Sequence, residues 1–386
     1  MAWALTPLTE EQRAIQSVAR EFANTELAPH VDQWDRDAYF EPSLPAKLGA
    51  LGFLGMMIPE QYDGMGLETL TYLVALEEIA IVDASTAVML SVHNSLPTQM
   101  LLKWGTEEQK ERFLKPMARG ELLGAFALSE AEAGSDAASL QTQAVRDGND
   151  WILNGTKAWV SSGTKGEVII AMARTDSPDD RKGARGISAF IITPDLPGFN
   201  VGKKEDKMGL RASPTVQLHF SDMRVPADRL LGDVGNGFIY AMQSLDNGRL
   251  GIAAQSVGIA EAALRASAAY AAERKQFGKP IKEFQAIQFK LADMATRVSS
   301  ARALLHAAAT AKDRGEHITQ FSSMAKLSAS ETAMWVTTQA IQIFGGYGYV
   351  KDYPVERWFR DAKVTEIYEG TSEIQRIVIA RELYSR

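Results

Sequence analysis

In residues 367–375 a carboxylate, Glu369, is followed at once by Gly370 and then by Ser372 and Gln375 at capping-box spacing. The spacing predicts a last helix capped by Ser372, with Glu369 on the loop that enters it, outside regular hydrogen bonding. Gly370 lets backbone or ligand come close to that carboxylate. A loop carboxylate of this kind can act as a general base, or it can simply be solvated, and the pattern alone leaves both readings open.

Three other stretches offer chemistry. Residues 126–136 run from Phe126 and Leu128 through Ser129, Gly134 and Ser135, a loop of small polar residues whose N–H groups and hydroxyls could bond the edge of a polar heterocycle or merely connect two elements. Trp159, Val160, Ser161 and Ser162 set an aromatic face beside hydroxyls, which suits a flat ring, although a tryptophan ending a strand is ordinarily core. Arg274, with Phe277 and Gly278 close behind, joins Gln285 and the run Gln342, Ile343, Gly345, Gly346 as a candidate diphosphate clamp; the plainer reading of the arginine is a surface charge. No Rossmann glycine fingerprint follows a strand and no P-loop occurs.

The elements that must position these stretches change character twice. Thr9 with Gln12 and Thr106 with Gln109 form capping boxes, and residues 45–54, 70–80, 85–104 and 106–118 read as helices, giving an all-helical unit over 1–122. From 123 to 232 glycine, threonine and β-branched residues dominate, and Asn154-Gly155 between two short alternating runs predicts a hairpin turn in a small antiparallel β unit. From 233 to 386 helix returns. Phe284, Ile287, Leu291, Met294, Val298, Ala301, Leu305 and Ala308 form a seam suited to shallow bundle packing. The expected fold is therefore mainly α, a helical bundle divided in sequence by a β insertion.

Composition narrows the function classes. Zero cysteines exclude disulfides, thiol nucleophiles and cysteine metal sites, and the five histidines (His30, His93, His219, His306, His317) lack metal-ligand spacing, so no metal is expected. With 41 Lys+Arg against 48 Asp+Glu, the net charge of -7 carries no footprint for nucleic acid. The first eleven residues lack a basic segment, and the longest apolar cluster, around Leu51 to Ile58, is too short to span a bilayer. The expectation is a cytoplasmic protein of bacterial type, or a mitochondrial matrix protein if a transit peptide was removed.

Taken in this order, the stretches at 126–135, 159–161, Arg274, Gln285, 342–346 and 369–373 resemble the acyl-CoA dehydrogenase family over essentially the whole chain, most closely its short-chain, butyryl-CoA-type members. The resemblance implies FAD lying between the β unit and the C-terminal bundle. It assigns Phe126, Leu128, Ser129, Gly134, Ser135, Trp159, Val160 and Ser161 to the flavin ring, and Thr371, Ser372 and Glu373 to the region of the diphosphate. Arg274, Phe277, Gln285, Gln342, Ile343, Gly345 and Gly346 fall to the adenosine diphosphate half, partly across a subunit boundary, which implies a homotetramer built as a dimer of dimers. Ser135, Asp246, Arg249, Tyr368 and Gly370 match substrate positions, and Glu369 the catalytic base.

Two details qualify the match: Ala131 stands where many relatives have proline, and Gly248 occupies the position at which other branches carry their base. The implied reaction is α,β-dehydrogenation of a short-chain acyl-CoA to the trans-2-enoyl-CoA, with electrons passed to an electron-transfer flavoprotein. Medium-chain or branched short-chain substrates, an acyl-CoA oxidase, and a noncatalytic or DNA-associated protein on the same fold are the alternatives. Ala87, where the glutaryl-CoA branch carries arginine, disfavours a dicarboxylate substrate, and the run Ser91, Val92, His93, Asn94, Ser95, Leu96 looks like the short-chain type.

Overall fold

A computed structural model describes residues 6–177, 179 and 181–384; residues 1–5, on which part of the reading of the opening segment rests, lie outside the described residues. The first unit contains α1 (Glu10–Phe22), α2 (Val31–Asp37), α3 (Leu44–Ala50), α4 (Thr69–Val82), α5 (Ala84–Ser95), α6 (Pro97–Trp104), α7 (Glu107–Gln109) and α8 (Lys115–Ala118). Both expected capping boxes form, at Thr9 with Gln12 and at Thr106 with Gln109. The stretch expected as one helix over 85–104 is two, because Pro97 cannot continue α5 and drives Leu96 out of helical geometry.

The middle unit holds β1 (Gly124–Ala127), β2 (Gln143–Asp147), β3 (Asp150–Ser161), β4 (Val168–Arg174), β5 (Ile187–Ile192), β6 (Phe199–Lys204), β7 (Thr215–Val225) and β8 (Leu230–Leu231). They form one sheet in the order β6-β7-β3-β2-β4-β5-β8, with β1 added beside β4. Most pairings are antiparallel, as expected, but β1 and β2 each pair with β4 in parallel.

The Asn154-Gly155 hairpin does not exist. The turn lies six residues earlier, where Asp147 faces Asp150 and Gly148 alone takes positive φ, 60°, as a type II′ turn requires. Asn154 and Gly155 sit inside β3 at an irregularity opposite β7. There the Asn154 side chain donates to the Asp222 carboxylate at 3.0 Å and accepts the Asp222 N–H at 2.8 Å. A Cβ on residue 155 would meet Thr142 Oγ1 at 2.5 Å, so the glycine serves close packing rather than a reversal.

The last unit is α9 (Gly237–Glu273), a short ribbon of β9 (Lys275–Gln276) and β10 (Lys279–Pro280), then α10 (Gln285–Asp313), α11 (Thr319–Phe344), α12 (Val355–Thr365) and α13 (Ser372–Tyr384). One apolar core runs through α1, α4 and α5 of the first unit and α9 to α12 of the last, so the two helical units are halves of one packed body. The α4 helix lacks an amphipathic seam because Thr69 to Ala80 is buried all round.

Polar bonds join the halves as well. Asp313 at the end of α10 accepts the Thr69 and Leu70 N–H groups at 2.8 and 3.1 Å, capping α4 across the chain. Arg302 of α10 donates to Glu77 of α4 at 2.6 Å and Glu261 of α9 at 2.8 Å, all three buried. Removing the cation leaves two buried carboxylates uncompensated. Arg302→Met is expected to lower stability by about 3–5 kcal/mol in thermal or denaturant unfolding, whereas Arg376→Met, which breaks only the surface pair with Glu331, should cost about 1 kcal/mol or less.

Candidate active site

The loop between α12 and α13 holds Glu369 at φ 51°, a left-handed conformation unusual for a residue with a side chain, followed by Gly370 at φ 92°. Lys326 of α11 donates to the Gly370 carbonyl at 2.7 Å, and Gln375 donates to the Gly370 and Glu369 carbonyls at 2.9 and 3.1 Å. The helix starts one residue earlier than its capping pattern suggests. Thr371 is the cap, its Oγ1 accepting the Ile374 N–H at 3.3 Å, and Gln375 turns to the loop carbonyls instead of closing a box with Ser372.

Residue 369 as a whole is partly exposed, but both carboxylate oxygens are buried and neither has a hydrogen-bond partner. Burial pushes the Glu369 carboxyl up to about 7, opposed by the Lys326 and Arg249 cations. The carboxylate lies against α9 at Gly248, where a Cβ would come within 1.8 Å of its Oε2. No side chain can occupy position 248 while Glu369 points there.

The same face of α9 continues at i+3 and i+7. Gly251 faces the Ser91 hydroxyl, which a Cβ would approach to 2.2 Å, and Tyr72 Oη at 3.4 Å. Both hydroxyls are buried without partners. Gln255 accepts a hydrogen bond from the Tyr368 hydroxyl and donates to the Ala84 carbonyl at 2.7 Å. Close by, Arg249 is buried and donates to Asp246 at 2.6 Å while its Nε is left unpaired; Thr319 donates to the other Asp246 oxygen at 2.6 Å.

A second group forms where β1 and β3 end. Phe126 is half-buried, packed on both the helical core and the core under the sheet, and Leu128 is buried. Ser129 is half-buried, and Gly134 and Ser135 are exposed. The Ala158 N–H donates to the Ser129 carbonyl at 2.9 Å, which brings this loop against β3. There a register shift between Lys157 and Val160 leaves Trp159 at φ 61° with its side chain 62% exposed. Trp159 is therefore not core, and a bulge aims its ring outward. Val160 is buried and Ser161 half-buried.

The third group lies at the end of the bundle. The Arg274 guanidinium sits 5.5 Å from the Tyr347 ring centroid, beside the turn at Gly345 and Gly346, where an added Cβ would meet nothing. Phe277 is 92% exposed at φ 51°, and its ring stands edge-on to Phe284, next to the exposed Gln285. Gln342 is exposed and Ile343 buried.

Residues 9–121, 125–223 and 235–384 match the N-terminal, middle and C-terminal domains of acyl-CoA dehydrogenase. The chain belongs to the acyl-CoA dehydrogenase family. Among its relatives is the mitochondrial short-chain specific acyl-CoA dehydrogenase of Bos taurus, 49% identical over 97% of this chain and 90% of that one. Butyryl-CoA dehydrogenase from Megasphaera elsdenii superposes with a TM-score of 0.96 at 45% identity, covering 98% of this chain and 99% of that one. A chain in the structure of the electron transferring flavoprotein of Acidaminococcus fermentans does so with a TM-score of 0.96 at 48% identity and the same coverage.

The residues of this acyl-CoA dehydrogenase fit a flavin dinucleotide. An outward indole beside hydroxyls and backbone donors suits a flat polar ring, and an arginine next to an unobstructed glycine turn suits a diphosphate. Among the described residues no group of three or more His, Asp or Glu could hold a metal ion, and no helix is long and apolar enough to cross a membrane. Sequence reasoning missed Lys326, Tyr72 and Gln255. Their only signal is a polar side chain inside a helix otherwise built for burial.

A carboxyl raised in the folded state favours folding below its ordinary value of 4.5, and that contribution is lost as pH rises through about 7. At pH 8 the ionised group should therefore cost about 3 kcal/mol relative to the neutral form. Glu369→Gln is expected to unfold at higher denaturant than the parent at pH 8 and to match it at pH 4.5 and below, as read by unfolding titrations across that range.

Proposed function

We propose that this protein is a short-chain acyl-CoA dehydrogenase, oxidising a saturated acyl-CoA to the trans-2-enoyl-CoA, with FAD as cofactor and an electron-transfer flavoprotein as acceptor. The observation that carries the reading is the Glu369 carboxylate, buried, unpaired and facing the side-chain-free surface of α9 at Gly248. Bound FAD supplies the acceptor for the hydride that leaves the β carbon.

Glu369 takes the α proton. An α C–H is far too weak an acid for an ordinary carboxylate, and the protein works from both sides. Burial raises the basicity of Glu369 towards neutral pH. The Glu369 N–H donates to the thioester oxygen, where negative charge develops, in the manner of an oxyanion hole. Lys326 and Gln375 hold that N–H and the carboxylate in one rigid loop.

Around the ring, Phe126, Leu128, Ser129, Gly134, Ser135, Trp159, Val160 and Ser161 supply the wall and polar contacts, and Thr371, Ser372 and Glu373 continue them towards the diphosphate. Arg274, Phe277, Gln285, Gln342, Ile343, Gly345 and Gly346 hold the adenosine diphosphate half, partly across a subunit boundary within a dimer of dimers. The exposed rings of Phe277 and Tyr349 support a subunit boundary at that end of the bundle. Ser135, Asp246, Arg249, Tyr368 and Gly370 contact the acyl-CoA.

A short acyl chain is supported by the closure of the α9 face at Gly251, three residues or about 4.5 Å beyond Gly248, where Ser91 and Tyr72 crowd in. Ala87 is buried and offers no charge for a distal carboxylate. Transfer to an electron-transfer flavoprotein rests on the likeness to the Acidaminococcus fermentans chain.

Under anaerobic conditions butyryl-CoA should bleach the flavin of the purified protein. Glu369→Gln should still bind FAD but bleach about 10²–10⁴-fold more slowly, and a normally reduced variant would remove Glu369 as base. The parent rate should rise with pH through about 7 and then level as the carboxylate ionises. In an acyl-CoA series, octanoyl-CoA should react more slowly than butyryl-CoA; the reverse order would overturn the short-chain assignment.

A further inference from the structure

The geometry points to Lys157 as a positioning residue that fixes the ring-side loop at 128–135 against the Trp159 bulge. The inference rests on the proposal that these two stretches flank the flavin. Lys157 is wholly buried in β3, yet it carries a charge that an apolar residue of similar volume would not. Its ammonium donates to the Leu128 carbonyl at 3.1 Å and to the Glu130 carboxylate at 2.8 Å. The next residue, Ala158, donates its N–H to the Ser129 carbonyl at 2.9 Å. Two consecutive strand residues thus hold three consecutive loop residues.

The far side of the clamp is also secured. Glu130 accepts the Gln141 N–H at 2.6 Å, the Thr142 N–H at 2.9 Å and the Thr142 hydroxyl at 2.5 Å, which ties the loop to the start of β2. The Glu130 and Ala133 backbones bond each other at 3.1 and 3.2 Å, so the placement of Glu130 also sets where Gly134 and Ser135 begin. Burial pushes the Lys157 ammonium below its ordinary value, and the Glu130 carboxylate at 2.8 Å pulls against that shift.

A buried ion pair is a poor source of stability, because a well-packed apolar replacement is often neutral or better. What such a replacement cannot supply is a donor to the Leu128 carbonyl two residues from the bulge that turns Trp159 outward. The function of Lys157 is therefore to set the loop and the indole at one spacing.

The test uses the FAD-loaded protein. Lys157→Met alone strands Glu130 and can fail to fold, so the deciding variant is Lys157→Met with Glu130→Gln, which removes both charges. It is expected to keep the parental thermal midpoint, to show an altered visible flavin spectrum, to hold FAD about tenfold more weakly, and to lose about 10–100-fold in kcat with little change in KM. Lys157→Arg, which keeps a buried cationic donor, should recover most of the spectrum. A double variant with parental spectrum, FAD affinity and kcat would overturn the proposal, and one that does not fold would reduce Lys157 to a plain structural role.

Trp159→Ala separates the two levels of inference. A silent Trp159→Ala would overturn the ring-side reading itself. A changed spectrum there with a silent double variant would overturn only the role of Lys157.

Discussion

A carboxylate with both oxygens buried and no donor bonded to either is costly to hold, and an unconstrained side chain would turn to water or to a cation. Glu369 does neither because its surroundings over-determine it. Its backbone is committed to positive φ, Gly370 carries the chain away, and Lys326 and Gln375 bind the two loop carbonyls. Lys326 is the telling residue. It is close enough to temper the rise in the Glu369 pKa, but its hydrogen bond goes to the Gly370 carbonyl, so the carboxylate keeps its basicity instead of being neutralised in a salt bridge.

The helix opposite is shaped by the same constraint. At Gly248 a single methyl group would overlap the carboxylate, and at Gly251 it would overlap Ser91. A helix of 37 residues tolerates these glycines because α4, α5 and α11 pack around it and supply the stability that local propensity does not. The bundle must therefore be complete before the site exists. Asp313 capping α4 and Arg302 bonding Glu77 show how segments more than two hundred residues apart complete it, and Glu261 of α9 joins the same cation.

Much of this was legible beforehand. The order of helical, β and helical units follows from hydrophobic period and composition, and the seam from Phe284 to Ala308 is largely buried as its spacing predicts, Met294, Val298, Ala301, Leu305 and Ala308 fully so. The misread features share a cause. Asn154-Gly155 has the composition of a tight turn, but the partner strand β7 and the contact with Thr142 convert it into an irregularity within β3. Ser372 with Gln375 has the composition of a capping box, but the loop carbonyls are better acceptors for Gln375 once Gly370 has turned them towards it. In both, a local signal lost to a partner distant in sequence or to a backbone turn that no propensity encodes.

The amino-acid sequence by itself determined the division into units, the absence of cysteine chemistry and the family to which the chain belongs, because periodicity, composition and ordered motifs are properties of the chain read along its length. It also singled out Glu369. Only the tertiary structure decided why that glutamate differs from any other loop carboxylate. Desolvation, the approach of Gly248, the field of Arg249 and Lys326, and the unpartnered hydroxyls of Tyr72 and Ser91 arise when α4, α5, α9, α11 and the last loop converge. Electrostatic environment is a function of distance in space, and residues 72, 91, 248, 326 and 369 become neighbours only in the folded chain.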